Sequence, residues 1–117
     1  VRAETPVFDI AKVSGSDIRL NYQSIVYAEH FSHMIHIHTP AKKTLITRLP
    51  FKSFIAPLCQ DARFFVCGRG VIVNLEHAAD FEDTAFIMDE GSRVFFSREL
   101  MKSARQAFMV FLLQRGH

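Results

Sequence analysis

Hydrophobic and polar positions alternate over short stretches along most of this chain, and a sustained helical period develops only near its end. Asp17 to Tyr22 places Ile18, Leu20 and Tyr22 on one face, the signature of a half-buried strand. Ile25 to Glu29 is a second apolar segment of similar length. From Met34 to Thr39, Ile35 and Ile37 share one face while His36 and His38 share the other. Pro40 to Lys43 reads as a turn and Thr44 to Thr47 as the strand returning from it. Leu49 and Pro50 then open a short helix on which Phe51, Phe54, Ile55 and Leu58 recur at helical spacing, with Pro57 limiting or kinking it. Such a phenylalanine stripe reads as core. Phe64 to Val66 and Val71 to Val73 are short β-rich runs split by Gly68-Arg69-Gly70, which marks a turn, bulge or sharp bend. Asn74 suits a turn or a side-chain bond to local backbone. Ala78 to Phe81 and Thr84 to Met88 flank Glu82-Asp83 as a hairpin, Glu90-Gly91-Ser92 turns, and Arg93 to Phe96 is a final strand. Ser97 is the expected N-cap of a helix from Arg98 to about Leu113, whose apolar face would carry Leu100, Met101, Ala104, Ala107, Phe108, Phe111 and Leu112. Val110 and Leu113 are left for packing or for a dimer contact. The pattern predicts a mainly β fold: small antiparallel sheets of short strands, a short middle helix and a C-terminal helix.

Length refines this only slightly. A chain of 117 residues holds one domain with a modest core. Residues 1–16, with Pro6 and a closing Gly-Ser, read as a linker or lead-in, and 17–117 as the domain. A chain starting at Val1 without Met reads as an excised or processed fragment, and a receiver or sensor domain, had one preceded it, would join within residues 1–16. Apolar content of 49% argues for a folded chain rather than a disordered one. No apolar run approaches the about 20 residues of a membrane span, and the first residues do not read as a signal peptide. Cys59 and Cys67 do not make a disulfide scaffold, which points to a reducing, cytoplasmic setting.

Charge distribution says more than net charge. The segment from Glu76 to Glu90 holds Glu76, Asp80, Glu82, Asp83, Asp89 and Glu90 and no Lys or Arg. Outside it, 14 basic residues face 6 acidic ones. That split reads either as ordinary solvated charge or as an anion-binding surface with an acidic hairpin turned away from it.

Several side chains carry candidate chemistry. An arginine between two glycines, as at Arg69, has little steric cover and can reach a phosphate or a guanine edge. His30, His33, His36 and His38 raise a zinc site, since imidazoles two apart on a strand can chelate, but no Cys, Asp or Glu completes an obvious ligand set. Cys67 with His33 or His36 could be drawn as nucleophile and base, yet no paired carboxylates or oxyanion-type loop accompany them. Oxidation of Cys67, or its pairing with Cys59, is a regulatory alternative to a buried inert thiol. Arg98, Lys102 and Arg105 form a basic stripe near the start of the last helix, where free backbone N–H groups also favour an anion. No metal or other cofactor is expected.

Taken with its flanks, the central run resembles the LytTR family of DNA-binding domains. The family's phenylalanine-led strand, basic turn and apolar pair before Val-Asn are matched by Phe64-Phe65-Val66, Gly68-Arg69-Gly70 and Val71-Ile72-Val73-Asn74. Its earlier Tyr-x-Glu and Tyr/His-x-x-Ile-x-Thr pattern is matched by Tyr27-Ala28-Glu29 and then His33, Ile35, Ile37 and Thr39, and its closing Ser-Arg by Ser97-Arg98. The resemblance spans roughly residues 17–110; Gly68 and Gly70 depart from it where His and Ser are commoner. It implies a sequence-specific double-stranded DNA-binding output domain of a bacterial transcriptional regulator, which inserts loops into the major groove at promoter direct repeats. On this resemblance His33, Arg69 and Arg98 face bases, and Lys42, Lys43, Arg48 and Lys102 hold phosphates. Two copies meeting on DNA as a homodimer is a further implication. An interaction module of the same fold that has lost specific DNA binding is the alternative, kept open by Gly68 and Gly70.

Overall fold

The computed structural model describes residues 7–13, 16–41, 43–68 and 70–115. β1 (Val7–Val13) and β2 (Ser16–Asn21) pair antiparallel as a two-stranded sheet, so the stretch expected to be a lead-in contains a strand. After a 3-10 turn at Tyr22–Ser24 come β3 (Tyr27–Phe31), β4 (Met34–His38) and β5 (Thr44–Thr47), then α1 (Phe51–Leu58), β6 (Phe64–Gly68) and β7 (Val71–Asn74). These five strands form one antiparallel sheet in the order β5-β4-β3-β7-β6. β8 (Ala78–Glu82), β9 (Ala85–Met88) and β10 (Arg93–Phe95) make a separate three-stranded sheet, and α2 (Met101–Arg115) closes the chain. The expected mainly β architecture of short antiparallel strands with two helices is the observed one.

Two apolar clusters lie on opposite faces of the larger sheet. Ala28, Ile35, Ile37 and Ile72 point to one face, where Phe54 and Leu58 of α1 cover them with Phe51 and Ile55 at the margin. The fully buried phenylalanine at position 54 alone removes enough apolar surface for about 2–3 kcal/mol of transfer free energy. Val26, Cys67 and Val73 point to the other face, against Phe86, Met88, Val94 and Phe96 of the smaller sheet and Ala104 of α2. β7 has both faces covered, which is why it reads as an unbroken Val-Ile-Val run without alternation. β3 and β4 are covered fully on one face only, and their alternation records it.

The last helix differs from expectation at both ends. Arg98–Leu100 is a 3-10 turn, and the side chain of Ser97 makes no capping hydrogen bond; its carbonyl accepts from Leu100 N–H instead. At the far end, Leu112 is 40% exposed rather than packed, alongside Met109, Val110 and Leu113. Ala107, Phe108 and Phe111 still pack against the cluster that holds Ala104, so the expected apolar face is covered through the third turn of the helix.

Candidate nucleic-acid interface

Strand register decides which residues can act together. Phe31 pairs with Met34, so the β3–β4 hairpin closes on just two residues, Ser32 and His33. Both have positive φ, at 53° and 64°. Two-residue hairpins need this geometry to match strand twist, but Asn-Gly is the sequence that adopts it readily. A serine and a histidine are held there against their preference, which fixes the exposed His33 side chain at the tip of the sheet.

The second hairpin ends at the same edge. β7 runs antiparallel to β3 with Val71 opposite Glu29, so the turn between β6 and β7 lies beside the end of β3. His30 N–H donates to the Gly70 carbonyl at 2.7 Å, tying the two hairpins together. A bulge between Val66 and Gly68 delivers the chain into this turn. Gly68 has φ of 132° and Gly70 of 69°, and a Cβ at Gly70 would lie 3.2 Å from the His30 carbonyl oxygen. Both angles favour glycine, most strongly at Gly68, and at Gly70 a Cβ would press on the His30 carbonyl. Arg69 lies outside the described residues, as does Lys42.

A third segment joins them. Thr47 pairs with Ile35, so β5 finishes at this same end and hands on to Arg48. α1 begins three residues later, and the Phe51 ring lies 6.1 Å from that of His30. This places exposed Lys52 beside the two hairpins as well. Local pattern does not single out Lys52, because its neighbours form a core stripe; the one signal for it is that it follows Arg48 by four residues, across the start of α1.

The other candidates stand elsewhere. Lys43 adjoins Thr44, whose partner is His38, so it lies at the opposite end of β4 from His33. Five residues of strand separate them by about 15 Å, too far to meet the same base step. Arg98 and Lys102 line a shallow groove with Glu99, Met101 and Arg105 at the start of α2. Arg105 rests its guanidinium 5.4 Å from the centre of the Phe81 ring. This groove is linked to the hairpin end through packing of Leu100 and Met101 into the cluster that holds Cys67 and Val71.

Much of the remaining charge is used internally. Arg63 bridges Asp61 and Glu76 at 3.1 and 3.0 Å, Arg93 meets Glu82 at 2.8 Å, and His77 meets Asp89 at 2.8 Å. Among the described residues, Lys43, Arg48, Lys52, Arg98, Lys102 and Arg105 are exposed and have no carboxylate partner. Asp80, Glu82 and Asp83 sit on the separate smaller sheet. His38 is occupied by Glu29 at 2.8 Å and stacks on Tyr27, while His36 stacks on Phe31. Among the described residues no three His, Cys, Asp or Glu side chains gather as a metal site would require.

Comparison with known proteins comes from two directions. The family model described as LytTr DNA-binding domain matches residues 15–109. Among solved structures, the chain is similar to a LytTr DNA-binding domain from Bacillus cereus, with a TM-score of 0.68 over 86% of this chain and 94% of that one. Sequence identity there is 22%, so the likeness is one of fold. No curated protein matches the chain.

Proposed function

The chain belongs to the LytTr DNA-binding domain family, and on that premise we propose that it reads double-stranded DNA by sequence as the output domain of a bacterial transcription regulator. The observation that carries this reading is the convergence of the Ser32–His33 turn, the Gly68–Gly70 turn and the Arg48–Lys52 segment at one end of the larger sheet. A pair of tight hairpin tips is narrow enough to enter a major groove about 12 Å wide. His33 and Arg69 face base edges in this reading, and Arg48 and Lys52 meet the flanking phosphates. Arg98 and Lys102 supply a second contact from the start of α2. Lys42 and Lys43 hold phosphates in this reading, as the family resemblance implies, with Lys43 at the far end of β4 from His33. Promoter direct repeats, two copies meeting on DNA, an upstream receiver or sensor domain and a cytoplasmic setting complete the proposal. No helix among the described residues is long and apolar enough to cross a membrane.

Fluorescence anisotropy against a pool of short duplexes, at two salt concentrations, tests the reading. Tight binding to a subset is expected, with Arg69→Ala costing about 1–3 kcal/mol and relaxing specificity at one position. Arg48→Ala should weaken all duplexes alike and reduce the slope of log affinity against log salt by about 1. Weak, sequence-blind binding unaffected by Arg69→Ala would sink the proposal in favour of an interaction module.

A further inference from the structure

Phe31 ends β3, one residue before the left-handed turn that carries His33. It is 50% exposed, although it is one of the largest apolar side chains in the molecule. Neither apolar cluster includes it, so core packing does not explain it. The ring is nevertheless ordered by a specific contact: it stacks on the His36 imidazole with centroids 3.9 Å apart and planes 7° from parallel. His36 is the next residue of β4 on the same face as Met34, the direct partner of Phe31. His36 is opposite Ile46 on its other side, so the stack is flanked on both neighbouring strands. Its Nε2 is shielded from solvent without a hydrogen-bond partner, so the stack is held at some cost in hydration. An aromatic ring fixed in this way loses little further freedom when it binds.

At the floor of a major groove the one apolar group is the C5-methyl of a pyrimidine, and phenylalanine is among the side chains that contact it. The other known role for an exposed apolar wedge is insertion between stacked bases. That role needs both ring faces, and His36 already covers one. An open face and edge are what a methyl contact uses. We propose that Phe31, clamped by His36 at the β3–β4 tip, is a specificity residue that recognises the 5-methyl group of a thymine beside the position met by His33. This rests on the reading of that tip as groove-facing, and the test separates the two.

A duplex is first selected from a randomised pool with the intact chain, and each of its thymines is then replaced singly by deoxyuridine, which removes only the methyl. One replacement should weaken binding about fourfold, the scale of one buried methyl. Phe31→Ala should show a similar loss and be indifferent to that same replacement. Phe31→Ala that folds, judged by circular dichroism, but keeps full sensitivity to the replacement overturns the inference and leaves DNA reading in place. If the variant does not fold, the uracil scan of the intact chain still decides, because a scan without a sensitive thymine overturns it. Failure to select any duplex removes the DNA reading and this inference together.

Discussion

The Cys67 side chain is 2% exposed in the cluster between the two sheets, and burial pushes its thiol from 9.0 up to about 12. Near neutral pH it is a small protonated hydrophobe, with Sγ directed at the Phe65 carbonyl 3.9 Å away. Neither nucleophilic attack nor peroxide sensing has a thiolate to start from. Cys59, just beyond α1, is exposed. Because the folded-state value lies above the unfolded one, the native state holds its proton more tightly. The contribution to stability is therefore fully present below pH 9.0 and is lost as pH rises towards about 12. A thiol-specific reagent at pH 8 should modify Cys59 in the native protein and reach Cys67 only in denaturant; rapid modification of both would contradict the assignment. Apolar flanking residues made a buried thiol legible in the sequence. The size of the shift was not, since it depends on Phe86 and α2 closing over β6 from distant parts of the chain.

At the scale of elements, the β3–β4 hairpin trades stability for what it displays. A turn with φ of 53° and 64° at Ser32 and His33 suits glycine and asparagine, and both side chains present are strained there. His33→Gly should raise the unfolding free energy by about 0.5–1 kcal/mol in a denaturant titration while weakening DNA binding. A variant that is both less stable and equally tight would show that the turn is not strained and that His33 is not a contact. Alternation in β3 and β4, the phenylalanine stripe of α1 and the glycines of the β6–β7 turn could all be read from local pattern. The start of α2 could not. Ser97 has the right identity for a cap, but the 3-10 turn that follows withdraws the N–H groups its hydroxyl would have accepted from.

Across the whole molecule, Asn74 joins pieces that the sequence keeps far apart. It is fully buried, and its amide nitrogen donates to the carbonyls of Tyr22 at 3.0 Å and Ile25 at 2.9 Å. Its Oδ1 accepts from Glu76 N–H at 2.9 Å. The local bond to Glu76 was foreseeable from a turn-prone residue closing a strand; the two bonds across the sheet were not. Asn74→Ala leaves two buried carbonyls without these donors and should cost about 2–4 kcal/mol in urea unfolding. A loss under about 0.5 kcal/mol would mean that water replaces the amide there.

The amino-acid order by itself determined the elements from β2 onward, the buried side of the alternating strands, and the motif spacing that marks the family; it did not reveal β1 or the 3-10 turn ahead of α2. These follow from periods of two and of about 3.6 residues acting over neighbours, together with glycine's freedom at tight turns. Only the tertiary structure decided which cations share a surface. Antiparallel register carried His33, Arg48, Lys52 and the Gly68–Gly70 turn to one end of the sheet and left Lys43 at the other. It also stacked Phe31 on His36 beside that end. Pairing between strands is set by contacts among residues distant in the chain, so no local pattern encodes it.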